Sequence, residues 1–272
     1  MLSLTLIRRT LRDYGLLWFA VCTLLFVFSV LFMYAIHATP IGQQGGDFLK
    51  MPFVRRVLTV MLGSDPVVML TPSVVSSFIF THPLMWSLTV IFCLSLLSGT
   101  IAGEIDRGTM DLLATLPLSR GSIYNSLGVV GIAMALPMCW VVWLGVCAGK
   151  RIAGATEVNT DLLIRVTWHL CATQAFIVSF SLAISAACQR RGTAVAIAFF
   201  IVFYAFVLNF LRSMWSGLDP LRWTNFLNYF QLMPIVRDQA YRWNDIAVLI
   251  LASIAWWIGG LIWFTRRDIP AR

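Results

Sequence analysis

Apolar residues along the chain fall into long uncharged runs separated by short polar breaks, not into the alternating or one-faced stripes of a soluble fold. Six runs reach the ~20 residues that carry a helix across a bilayer. They extend from Leu16 to Ile36, Pro83 to Gly103, Gly121 to Gly149, Val166 to Gln189, Gly192 to Leu211 and Ile246 to Thr265. The third is long enough to tilt, or to kink at Pro137 with repair by neighbouring helices. The fourth and fifth would merge but for Arg190 and Arg191. Each arginine costs about 2.5–3.5 kcal/mol at the centre of an inserted helix, so the pair predicts a tight turn at the membrane surface.

Ahead of the first run, Leu4, Ile7, Leu11 and Tyr14 recur at spacings of three and four, opposite Arg8, Arg9, Arg12 and Asp13. This pattern predicts a short N-terminal interfacial helix with its arginines near anionic headgroups; a plain extension of the first span is the alternative. The run is longer than the ~7–15 apolar residues of a signal peptide, and Ile36-His37-Ala38 has no small residue at the position a cleavage site requires, so the span is expected to stay as an anchor. The outer loop from His37 to His82 is broken by Pro66 and Pro72 and carries Arg55, Arg56 and Asp65, which predicts small outer-face helices, not a span. The last outer loop, Arg212 to Asp245, holds Trp215, Trp223, Tyr229, Tyr241 and Trp243, an aromatic-belt composition. The expected fold class is therefore an all-α membrane protein with six transmembrane helices in a single domain spanning residues 1–272.

Composition agrees: 59% of the 272 residues are hydrophobic and 12% charged, with a mean hydropathy of +0.83. Soluble domains run near 45–50% apolar and about 25% charged, so a water-soluble enzyme is excluded. The net charge of +8 comes from Lys and Arg scattered in ones and twos, which does not track phosphates; no nucleic-acid partner is expected. Half of the 20 Lys and Arg are Arg8, Arg9, Arg12, Arg107, Arg120, Arg190, Arg191, Arg266, Arg267 and Arg272, packed into the short segments that share a side with both termini. Their density predicts cytoplasmic termini. The six cysteines lie in or beside apolar runs without a CxxC pair and read as small buried hydrophobes.

Catalytic signatures are missing: no H-E-x-x-H, no G-x-S-x-G, and no P-loop, the nearest approach being Gly145 to Gly149-Lys150-Arg151. None of the six runs holds Asp, Glu, Lys or Arg in its interior, which disfavours an ion-coupled carrier. Asn125, His169, Gln174 and Asn209 are the polar residues left near or within the membrane, read as interhelical hydrogen-bond partners or as the lining of a substrate path. Gly99 with Gly103, and Ser181 with Ser185, form small-xxx-small pairs that permit close helix approach. Met51, Met61, Met69 and Met85 with His37 and His82 have copper-compatible chemistry, but their irregular spacing reads as packing, and no metal site is expected.

The densest charge cluster follows the second run, in Glu104-Ile105-Asp106-Arg107-Gly108-Thr109-Met110-Asp111-Leu112-Leu113-Ala114-Thr115-Leu116-Pro117-Leu118-Ser119-Arg120. Gly108 supplies a turn, Thr109 an N-cap and Pro117 a stop, so Met110 to Leu116 reads as a short helix. Its face of Leu112, Leu113 and Leu116 must be covered by a partner or by the chain's own spans. Ser119 is placed to cap the third span.

That segment, EIDRGTMDLLATLPLSR, resembles the stretch with Glu, Gly-Thr, Leu-Leu and Pro-x-Ser-Arg in this order in type-2 ABC-transporter permeases, one branch of which serves nitrous-oxide reductase maturation. The tail Trp263-Phe264-Thr265-Arg266-Arg267-Asp268-Ile269 and the Arg190-Arg191 turn are similar as well. Where these permeases often carry a Gly-Lys pair, this chain has Ser126-Leu127-Gly128-Val129. The resemblance implies a non-enzymatic exporter subunit in a prokaryotic inner membrane, paired with a second permease copy and two cytoplasmic ATPase subunits that hold ATP and Mg. It maps Glu104, Arg107, Thr109, Leu112, Leu113 and Arg120 onto a coupling segment, with Leu112 and Leu113 in the ATPase groove. A membrane scaffold that links an ATPase to an extracytoplasmic maturation factor is the alternative role.

Overall fold

A computed structural model describes residues 2–38, 72–110, 118–237 and 241–267. Six helices are long and apolar enough to cross a membrane. In chain order, helix α1 covers Leu4–Ala38, α2 Pro72–Ser77, α3 Pro83–Thr100, α4 Ala102–Asp106, α5 Arg120–Ala153, α6 Thr160–Ala187, α7 Arg191–Met214, α8 Leu232–Arg237 and α9 Trp243–Arg266. The described residues contain no strand.

Sequence accounts for the helix ends. His82 accepts from the Leu84 amide through Nδ1 at 3.2 Å, with Pro83 at the first helical position of α3. Ser119 caps α5 through the Ser122 amide at 3.1 Å, as expected. At its other end Gly154 takes φ +65° in a left-handed cap, and Lys150 from the last turn reaches on to the Val158 carbonyl at 2.6 Å. Asn159 caps α6 by accepting from Asp161 and Leu162 at 3.0 and 3.2 Å. The turn expected at Arg190-Arg191 separates α6 from α7, which begins at Arg191.

The N-terminal segment is not the separate interfacial helix expected. It runs without a break into the first span, forming one helix of 35 residues. Gly15 is its sole weak point, and a single glycine costs only about 1 kcal/mol, too little to end a helix whose flanks are apolar. Packing fixes the arm as well: the Ser3 amide donates to Ser126 Oγ of α5 at 2.8 Å, and Leu6 and Thr10 are buried.

Helix α6 is the central post, 83% of its apolar window being inside, against 17% for α9. Around it stand α3, α5 and α9, with α1 laid along α5. The close approach of α1 comes from Gly145 and Gly149, where added Cβ atoms would lie 2.5 Å from Ser29 Cβ and 2.6 Å from Met33 Cβ. Residues that read as a near-miss P-loop are thus the contact stripe of two helices. Helix α5 continues through Pro137, and the Trp18 indole of α1 donates to the Met134 carbonyl at 2.8 Å, beside the Ala133 carbonyl that the proline leaves unpaired.

Outward faces are strongly apolar: Phe199, Phe200 and Phe203 on α7, Leu251 and Ile258 on α9, and Leu16 and Phe19 on α1 are all exposed. Water would not tolerate a continuous surface of this kind, whereas lipid does. The chain is an integral membrane protein.

Cys22, Cys93, Cys139 and Cys171 are buried, Cys147 and Cys188 half-buried, and all six are free thiols. Trp215, Trp223 and Trp243 of the last loop are exposed, while Leu232, Ile235 and Val236 of α8 are buried. Met85 is packed in the core, His37 Nε2 lies 3.3 Å from Ser76 Oγ and His82 is occupied as a cap. Met51, Met61 and Met69 lie outside the described residues.

Candidate functional site

The charged end of the bundle gathers the N-terminal arm, the α4 turn, the α6–α7 turn and Arg267 after α9. Arg9 reaches Glu104, the Arg191 amide reaches Asp106, the Arg120 guanidinium donates to the Arg267 carbonyl, and Arg267 donates to the carbonyls of Ala186 and Cys188 at 2.8 and 3.0 Å. These contacts place the N-terminal arm, residues 104–109, residues 188–191 and Arg267 together at one end of the bundle.

Glu104 is the centre of this end. It sits on α4, one short turn made after the chain breaks at Ile101. The break frees the Ala102 amide, and Ser185 Oγ of α6 accepts it at 3.1 Å. Ser185 of the small-residue pair is therefore a backbone partner, and α4 is pinned to the central post. The Glu104 side chain is 11% exposed, whereas those of Arg9 and Arg107 are each 53% exposed. A carboxylate so nearly dry needs several donors. Oε1 receives Arg9 at 3.3 Å and Arg107 at 3.1 Å, and Oε2 receives the Thr109 hydroxyl. The Thr109 amide and hydroxyl also reach the Glu104 carbonyl, at 3.0 and 3.2 Å. Gly108, at φ +72°, makes that return possible, the turn expected of it.

Beside this knot lies a cavity of about 430 Å³, lined by Arg9, Asp13, Tyr14, Thr100, Glu104 and Thr109. Gly99 lines it, and Gly103 lies one turn on. A Cβ at position 99 would stand 2.1 Å from the Tyr14 hydroxyl, and one at 103 would stand 3.5 Å from Arg107 and 3.6 Å from Arg191. Side chains, not a second helix backbone, occupy that face.

The residues mapped by the motif separate into three groups. Glu104, Arg107 and Thr109 form one bonded unit. Arg120 belongs to a second, holding the end of α9 through Arg267. Leu112 and Leu113, with the remainder of residues 111–117, lie outside the described residues. Asn125, Gln174 and Asn209 do not converge. Asn125 accepts from the Trp257 indole at 2.9 Å, joining α5 to α9. Gln174 Oε1 is 3.9 Å from Cys93 Sγ, joining α6 to α3. Asn209 lines an apolar groove between α3 and α7. His169 is buried, with Nδ1 2.9 Å from the Arg165 carbonyl.

Sequence reasoning put Arg9, Asp106 and Arg191 on this side but gave neither them nor Tyr14 a partner here. Arg9 and Tyr14 were legible only as members of an amphipathic arm, because their partners are about 90 positions away. Arg191 read as a solvated turn, yet its guanidinium lies 3.1 Å from Ser95 Oγ of α3.

Arg267 caps the last carbonyls of α6, where a cation meets the helix dipole. Arg267→Ala is expected to cost about 1 kcal/mol, read as a lower thermal midpoint in detergent. Arg267→Lys should recover part of it. An unchanged midpoint in the alanine variant would show that this clasp contributes nothing.

The class defined by these features is a six-helix integral membrane protein with a knotted, charged end. No protein-family model and no curated protein matches the chain.

Proposed function

We propose that the chain is the permease subunit of an ATP-binding-cassette exporter, with the charged end as its coupling end. The observation that carries the reading is Glu104: a nearly dry carboxylate tied at once to the N-terminal arm, to its own turn and to Thr109 at the mouth of residues 111–117. Such a knot makes the arm and the segment after α3 move as one body. The motif resemblance supplies the mover, a separate cytoplasmic ATPase binding ATP and Mg, with Leu112 and Leu113 as the docking face.

Two copies of the chain and two ATPases make the working unit in this reading, with termini in the cytoplasm of a prokaryotic cell. ATP-driven closure of the ATPases displaces the knots and shifts the spans between two packings. Substrate release follows from that population shift, and no bond is made or broken on this chain. The uncharged interior fits this division of labour, since energy then enters from outside the bundle.

Co-purification of the chain with its ATPase tests the reading. The double substitution Leu112→Asp with Leu113→Asp is expected to abolish association while leaving the chain inserted. Undiminished association and normal stimulation of ATP turnover would reject the coupling segment. Association and stimulation in wild type without substrate movement would favour the scaffold role.

A further inference from the structure

The charged end has a second junction, and it belongs to α7. This helix starts without a cap of its own: Arg190 precedes it in extended conformation and its side chain makes no capping bond. The cap comes from elsewhere. Asp106, the last residue of α4, accepts the Arg191 amide through Oδ2 at 3.2 Å. A carboxylate there meets both an unpaired amide and the positive end of the helix dipole. The Arg191 side chain then crosses to α3, donating to Ser95 Oγ at 3.1 Å while lying against Gly99 and Gly103. One residue thus holds the start of α7 to both α4 and α3.

Other features leave α7 able to respond. Only 28% of its apolar window is buried, against 56% for the span that includes α3. Between α3 and α7 runs a groove of about 570 Å³ in which Ser87, Val90, Phe203 and Phe206 face one another. An apolar groove flanked by one well-packed and one loosely packed helix changes width when the loose helix shifts. Glu104, two residues before Asp106, is fixed in the knot, so a displacement of the knot reaches Asp106 through a single helical turn.

We infer that Asp106 and Arg191 are positioning residues that pass movement of the segment after α3 to α7, and through α7 to the width of the α3–α7 groove. The inference rests on the coupling reading for the source of the movement; the junction itself is separately measurable.

The test uses the full chain in bilayer nanodiscs, with spin labels on unnatural keto residues so that the six native cysteines stay in place. Labels at Ser87 and Phe203 report the groove, and labels at Leu31 and Leu144 report α1 against α5. Asp106→Ala is expected to lengthen the groove distance by about 2 Å, the size of helix shifts at interfaces, with the control pair unmoved. Asp106→Asn keeps an acceptor and should retain the wild-type distance. An unchanged groove distance in Asp106→Ala overturns the inference, and so does an equal shift in the control pair, which would mean general loosening. With ATPase and a trapped nucleotide, the groove distance should change in wild type and not in Asp106→Ala; an equal change in both also overturns it. A wild-type chain that binds no ATPase would reject the proposed function, while the nucleotide-free comparison would still decide the junction.

Discussion

Gly145→Ala is expected to destabilise the protein by about 1–3 kcal/mol, and Gly145→Leu by more, because the contact it overfills cannot give way. A Cβ there would lie 2.5 Å from Ser29 Cβ and 2.9 Å from the Phe26 carbonyl oxygen, and backbone oxygen does not rotate aside. Gly149 poses the same problem one turn on, 2.6 Å from Met33 Cβ and 3.1 Å from the Val30 carbonyl. Either substitution pushes α1 off α5, and with it the arm that carries Arg9. The measurement is the thermal midpoint or steric-trap unfolding free energy in mild detergent. Gly259→Ala is the matched control, since nothing lies within 4 Å of an added Cβ there, and it should be neutral or gain up to about 1 kcal/mol from helix propensity. Ser29→Gly should return part of what Gly145→Ala loses, a coupling that a double-mutant cycle detects. Equal costs at positions 145 and 259 would remove close packing as the explanation.

In the coupling role proposed above, Glu104→Ala should produce the second large effect, chiefly on coupling to the partner ATPase. Loss of the carboxylate unties Arg9, Arg107 and Thr109 together. Both arginines are half in water and can rehydrate, so the stability cost is held to about 1–2 kcal/mol, below that of a fully buried pair. Coupling between the sites should fall much further, by a factor between about 5 and 150, the usual span of an allosteric coupling energy. Expression and membrane insertion should persist while stimulation of the ATPase and transport are lost. Glu104→Gln keeps an acceptor for the Thr109 hydroxyl and should fall between. Wild-type stimulation in the alanine variant would remove Glu104 from the coupling role.

Particular residues show where sequence reading stopped. The spans were legible because a run such as Gly192 to Leu211 has one stable fate in lipid, a helix satisfying its own backbone. Ser119 as a cap and Gly108 as a turn were legible because each acts within three residues of itself. Arg9 was not, since nothing near it in sequence signals a carboxylate at position 104. The Gly99/Gly103 pair had the right spacing for helix contact and a different use, receiving Tyr14 and Arg191. Gly145 and Gly149 were noticed only as part of an excluded P-loop, because spacing by itself does not show which helix a small-residue stripe will meet.

By itself, then, the sequence determined that the chain lives in lipid, carries six runs long and apolar enough to cross it, and keeps charge out of their interiors. Those properties follow from local solvation, which each segment settles alone. Tertiary structure decided which arginines pair, that the N-terminal arm is one helix with the first span, and that Glu104 and Asp106 face different partners across a single turn. Such choices depend on contacts between residues about 90 positions apart, and only packing around α6 brings them together.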